Sequence, residues 1–235
     1  MFHALGFSTG ALAFGDYRRG LDIIRARRIR LVELSALRED ELAPLLSSLD
    51  ALDLSGFDYV SFHAPSALDK LTEEQATSML RGLLPRHWPI ILHPDVIKDR
   101  SLWRGFGDAL CIENMDKRKP IGRTLAELDP FFNEFPEASF CFDIGHARQV
   151  DPTMCEAAFL LRRFGSKLKQ IHMSEVNSRS KHDAISFTAV QSFRKVADLI
   201  PAGTPIILET VIPEDQIVEQ LRLAAAVFLR AGAVA

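Results

Sequence analysis

The stretches ALCIENMD (109–116), SFCFDIGHA (139–147) and LKQIHMSEV (168–176) share one plan: a short apolar run that ends in carboxylates and histidines. Apolar runs of this length, without a helical period, read as strands buried on both faces. Working outward, the plan recurs at LGFSTGAL (5–12), RLVELSAL (30–37), YVSFHAP (59–65), PIILHPD (89–95) and PIILETVI (205–212). Amphipathic helical stretches fill the intervals, most clearly 72–85, 123–135, 153–165, 186–200 and 214–231. Thr72 is a helix N-cap with Gln75 at the capping-box position, and Pro85, Pro136 and Pro201 read as stop signals. IKDRSLWRGFGD, after the fourth strand, is short and broken by two glycines, so a stub helix is expected there.

Eight strand–helix pairs in 235 residues average about 29 residues each, at the compact end for a closed barrel of this kind. The expected fold is a single (β/α)8 TIM barrel with short loops, one domain spanning 1–235. The rival, a doubly wound open sheet, would carry a Gly-rich phosphate loop after its first strand, and FSTGALAFGDY does not have the GxGxxG spacing. No Gly/Pro/Ser-rich linker divides the chain.

Apolar residues make up 47% and charged residues 25%, which excludes disorder and collagen-like repeats. A net charge of −3 gives no overall pull toward nucleic acid or an anionic membrane. Cys111, Cys141 and Cys155 form no CxxC pair and have apolar neighbours, so they read as buried thiols of a reducing compartment. The N-terminus lacks the pattern of a signal peptide, and no apolar run reaches the roughly 18 residues of a membrane span. A cytoplasmic protein is expected.

Barrel active sites lie at the C-terminal ends of the strands. The polar residues ending successive runs are Glu33, His63, His93, Glu113, Asp143 (with His146), His172 and Glu209, at steps of 30, 30, 20, 30, 29 and 37 residues. Barrel closure would bring them together. Imidazoles and carboxylates are ligands for zinc, manganese and related dications, and a dication would relieve the repulsion among the carboxylates. Five of the seven histidines (63, 93, 146, 172 and 182) sit at strand ends or in the loop after strand seven; His3 and His87 do not. Any one of these residues alone would read as structural, and the argument rests on the set. Glu33, inside VEL, is as much a supporting residue or substrate contact as a residue without a role.

SFHAP, ILHPD, CIENMD, FDIGHA, IHMSEV and IILET, in this order and spacing, resemble the xylose isomerase-like barrel superfamily, which includes the endonuclease IV family and the sugar isomerases and epimerases. The resemblance covers essentially the whole chain. It implies one metal held by Glu113, Asp143, His172 and Glu209, with the two glutamates as acid and base and His146 on the substrate. The endonuclease IV branch implies a second ion on His63, His93 and Glu113, and a third on His146 and the Asp-x-His of the loop after strand seven. Here that loop reads NSRSKHDA: His182 fits, but Ser180 stands at the Asp position, and the neighbouring Asp183 is the alternative. Glu175 likewise replaces the family's Asp after His172. Zinc is the ion implied, with manganese, magnesium and iron as alternatives.

Two enzyme readings follow, with hydrolysis ahead. The first is hydrolysis of a phosphoester or related bond by two or three ions, since paired metals serve both attacking and leaving oxygens. It accounts for His63, His93 and His182, and Lys117, Arg118, Lys119, Arg148, Arg179 and Lys181 would form a rim for an anionic substrate. The arginines of the first helix (Arg18, Arg19, Arg25, Arg27 and Arg28) read as outer-face charges. The second is isomerisation or epimerisation of a small sugar or keto compound, which needs only the four late-strand ligands. A non-catalytic binding module is a third reading, in which a nearly complete ligand set would serve little purpose. Short loops argue against an extended DNA footprint and for a small or anionic substrate; no membrane partner is expected.

Overall fold

Alternation along each strand decides the architecture. In β6, Phe140 and Phe142 pack outward into the main apolar core, whereas Cys141 packs with Ile91 and Cys111 in a separate small cluster. Two apolar environments on opposite faces of one strand are what a closed barrel wrapped in helices provides. The computed structural model describes residues 3–229. Its strands are β1 (Leu5–Ser8), β2 (Leu31–Ser35), β3 (Tyr59–His63), β4 (Ile90–Leu92), β5 (Leu110–Glu113), β6 (Ser139–Asp143), β7 (Leu168–Met173), the short antiparallel pair β8 (Glu175–Val176) and β9 (His182–Asp183), and β10 (Ile206–Leu208). β1 to β7 and β10 form a closed parallel barrel in chain order, with β10 pairing to β1.

Helices α1 (Thr9–Ala13), α2 (Tyr17–Ala26), α3 (Glu39–Ser48), α4 (Glu73–Leu80), α5 (Arg100–Trp103), α6 (Leu125–Glu134), α7 (Ile144–Val150), α8 (Cys155–Phe164), α9 (Phe187–Ala197) and α10 (Ile217–Val227) occupy the crossovers. α5 is the expected stub. Thr72 caps α4 with the reciprocal Gln75 bond. Among the described residues, no helix is long and apolar enough to cross a membrane.

Several boundaries differ from the sequence expectation. The first run, expected as strand to residue 12, turns at Thr9 into α1. Gly10 permits that turn, because a Cβ there would meet Leu37 and Ser35 at about 3 Å. The sixth run, expected as strand to 147, ends at Asp143, whose carboxylate accepts from the His146 amide and caps α7. Gly145 lets α7 approach β7, since a Cβ would lie 2.4 Å from the Ser174 carbonyl. In both cases the apolar run continued because strand and first helical turn are both buried, so hydrophobicity alone did not mark the change. The α4 helix stops five residues before Pro85, which lies in a 3-10 turn (Arg81–Arg86). Pro85 offers no N–H to the Arg81 carbonyl and crowds it. Cys155, expected buried, is exposed at the start of α8. The last helix ends at Val227; residues 230 and 231 of its expected span lie outside the described residues.

Candidate metal centre

Two-residue alternation selects the residues that face the barrel axis. In β5 these are Cys111 and Glu113, in β6 Cys141 and Asp143, in β7 Gln170 and His172, and the chain continues inward to Glu209 just past β10. Register brings neighbours level: Asp143 pairs with His172, and Ser35 with His63. Glu33 is therefore not at its strand's end. It pairs with Ser8 and Ser61, one layer below the rim, and the terminal inward residue of β2 is Ser35, bonded to Ser8 Oγ at 2.7 Å.

Glu113 is the hub. Its Oε2 lies 3.3 Å from both His63 Nε2 and His93 Nε2, and its Oε1 lies 3.0 Å from His172 Nδ1 and 3.6 Å from His146 Nδ1. The two oxygens of one carboxylate thus face two different clusters. Potential ligand atoms of His63, His93 and Glu113 all lie within 4.8 Å of one another, as do those of Glu113, Asp143, His172 and Glu209. His63, His93, Glu113, Asp143, His146, His172 and Glu209 are buried.

Carbonyl acceptors fix which ring nitrogen of His63 and of His146 remains free. The carbonyl of Ala64 can only accept, so His63 Nδ1 carries a proton (2.7 Å) and Nε2 faces Glu113. The Asn114 carbonyl does the same for His146 Nδ1 (2.9 Å), which leaves its Nε2 buried and without a partner. Glu113 Oε2 and Asp143 Oδ2 are also buried without an aligned hydrogen bond. Buried polar atoms normally find partners. Unpartnered lone pairs of imidazoles and carboxylates converging within a few ångströms are the donor set a dication needs.

Charge is frustrated among these side chains. Burial pushes the Glu113 carboxyl up, but His172, with His63 and His93, holds it well below the usual range. Burial pushes Glu209 to about 7 and Asp143 to about 6; His172 and His146 respectively oppose this, and Glu113 adds to it. Burial would lower His63, but Glu113 and Glu33 raise it to about 9. Burial and the neighbouring His146 push His182 down to about 3.

His182 comes from β9, which folds back with β8, and its Nδ1 lies 2.9 Å from Ser174 Oγ. Its ligand atom groups with those of His146 and Asp143. Neither loop candidate completes this group. Asp183 is exposed and accepts from Asn177 Nδ2 at 2.8 Å, because adjacent residues of β9 point to opposite faces. Ser180, at φ +54°, accepts from Gln149 at 2.9 Å. The carboxylates near His182 are Glu209, whose Oε2 lies 3.5 Å from His182 Nδ1, and Asp143, both of which the four-residue cluster also uses.

The cluster opens into a cavity of about 520 Å³ that reaches Phe14, Arg38, Asp116, Arg118, Lys181 and Val211. Of the expected rim cations, Arg118, Lys119 and Lys181 line it. Lys119 is paired with Asp95 (2.9 Å) and donates to the Ser66 carbonyl, and Arg148 is paired with Glu175 (2.8 Å). Lys117 and Arg179 are exposed away from the cavity. Among the first-helix arginines, Arg19, Arg25 and Arg27 make surface ion pairs with Glu214 and Asp22. The sequence reading missed Asn114, whose side chain makes two 2.8 Å bonds to the Asp143 backbone and locks that ligand. It also missed Gln170, which alternation from His172 would have pointed inward.

No protein-family model matches the chain, and no curated protein matches it by sequence. Solved structures do resemble it. Endonuclease IV from Thermus thermophilus superposes with a TM-score of 0.62 at 17% identity, over 97% of this chain and 100% of that one. The 3-keto-D-glucoside 4-epimerase from E. coli gives 0.57 at 12%, over 96% and 98%. A sugar phosphate isomerase/epimerase from Parabacteroides distasonis gives 0.54 at 9%, over 97% and 98%. These likenesses are of fold, a closed (β/α)8 barrel.

Proposed function

We propose that this xylose isomerase-like barrel is a divalent-metal enzyme that hydrolyses a phosphoester or a related bond of a small anionic substrate. The observation that carries the reading is Glu113, whose Oε1 and Oε2 face separate ligand groups. An isomerase with one ion has no use for the second group, His63 and His93. His63, His93 and Glu113 would hold one ion, and Glu113, Asp143, His172 and Glu209 another; zinc suits the imidazole-rich set. Asp143, His146 and His182 would offer a third, weaker position. Bound ions would supply Lewis-acid polarisation of the phosphoryl oxygens and activation of water at neutral pH. The chain's own groups do the rest. Lys181 attracts the anionic end of the substrate, Arg118 being held 3.5 Å from Asp116, and buried walls exclude bulk water from the reacting bond.

The test is metal content of the purified chain followed by turnover of a phosphodiester panel. Replacing both histidines (His63→Ala/His93→Ala) should cost roughly a thousandfold, since such an ion contributes several kcal/mol and each ~1.4 kcal/mol is tenfold. Phosphodiester turnover that survives in the folded double variant would overturn the reading.

A second reading, sugar or keto-compound isomerisation, is favoured by a different observation. Glu113 and Glu209 are two carboxyls pushed in opposite directions, one well below its usual range and one up to about 7. Such a pair suits base and acid roles. Under it the double variant keeps most of its turnover on a ketose panel.

A further inference from the structure

Glu33 belongs to neither ligand group, yet it is fully buried beneath them. Its Oε2 accepts from Ser61 Oγ (3.1 Å) and Gln170 Nε2 (2.8 Å) and lies 2.9 Å from His172 Nε2. Tyr59 donates its hydroxyl to Gln170 Oε1 (2.7 Å), which turns the amide so that its NH2 faces Glu33. That NH2 also lies 2.7 Å from His172 Nε2. Two groups therefore compete for one ring nitrogen. Glu33 needs Nε2 to carry a proton; Gln170 needs it to accept one. On the other side of the ring, Nδ1 faces Glu113 (3.0 Å) and Glu209 (3.5 Å).

A ring nitrogen can bind an ion only without its proton. We propose that Glu33 is a positioning residue that keeps the His172 proton on Nε2, so that the Nδ1 lone pair is left for the ion of the late-strand cluster. The inference rests on the metal reading above. Without the Glu33 charge, Gln170 donates to Nε2, the proton moves to Nδ1, and that nitrogen is closed to the ion. A carboxylate behind a ligating histidine commonly governs its tautomer and basicity, and loss of such a partner weakens metal binding roughly 10- to 100-fold.

The competition suggests a charge swap. Glu33→Gln should weaken zinc binding by roughly 10- to 100-fold, measured on the full chain by competition with a chromogenic chelator. Glu33→Gln/Gln170→Glu returns a carboxylate to Nε2 from the other side and should recover most of the affinity. Ser61→Ala, which touches Oε2 but not His172, should leave it unchanged. Ring 15N spectra of zinc-loaded protein should show His172 bound through Nδ1 and protonated at Nε2. Zinc affinity unchanged in Glu33→Gln would overturn the inference, as would a swapped variant that melts like wild type but does not recover. If Glu33→Gln does not fold, the wild-type spectrum alone decides, since zinc on Nε2 overturns it. Both readouts are of binding, so a wild type that holds zinc but hydrolyses no phosphoester rejects the hydrolytic reading alone.

Discussion

The outward and inward faces of the same strands are opposites. Phe140 and Phe142 point outward; Phe140 lies against Phe132, Phe164 and Phe142, with Phe132–Phe164 centroids 4.3 Å apart. Between and beyond them, Cys141 and Asp143 point inward, and Asp143 enters a group of ionisable side chains with unpartnered buried atoms. The outward face is apolar and close-packed, which is where the favourable free energy of folding comes from. The inward face near the strand ends is charged and desolvated without full pairing, which costs stability. The barrel therefore separates its stabilising residues from its site by a single residue step.

The sharpest way to break this separation is Glu113→Ala. Because Glu113 faces both ligand groups, the variant should lose more than one equivalent of divalent ion per chain while the barrel still folds. Loss of a single equivalent, by metal analysis, would refute the bridging role. The converse variant is Phe142→Ala. It should cost roughly 3–5 kcal/mol in denaturant unfolding and leave the ion count intact.

The next effect is of pH on the metal-free protein. His63 is raised to about 9 from 6.5, so its contribution is complete below 6.5 and lost as pH rises through 9. Glu209, raised to about 7, and Asp143, raised to about 6, act in the same direction; the contribution of Asp143 is mostly spent by neutral pH and that of Glu209 is lost as pH rises through 7. His182, depressed to about 3, acts oppositely, and its contribution is constant above 6.5. Between pH 7 and 9 the metal-free chain should lose on the order of 3 kcal/mol. Saturating zinc should reverse the slope, because ions bind deprotonated ligands. Melting curves at several pH values, with and without chelator, test both signs.

The smallest effect is expected at the edge of the inward face. Asp183→Ala should leave ion content unchanged, since that carboxylate points to Asn177. A lost equivalent would return Asp183 to the ligand set.

Much of the fold was legible because its signals are local. The apolar runs marked all eight barrel strands, and the polar residues closing them are those the barrel gathers, from His63 to Glu209. Boundaries were less legible. Glu33 looked like a strand end because VEL breaks the apolar run there, but β2 continues to Ser35. Lys119 and Arg148 looked like free rim cations because their partners, Asp95 and Glu175, lie 24 and 27 residues away.

By itself, the sequence determined the barrel, its strand order and the identity of the side chains at its C-terminal mouth. Those follow from the two-residue period of a strand and the regular return of each βα unit. Tertiary structure alone decided which nitrogen of His63 and of His146 is free, which oxygen of Glu113 faces which cluster, how deep Glu33 lies, and that Asp143 and Glu209, not Ser180 or Asp183, stand beside His182. These depend on register between strands and on hydrogen bonds between residues distant in the chain. A period read along one strand carries no information about what lies across the barrel.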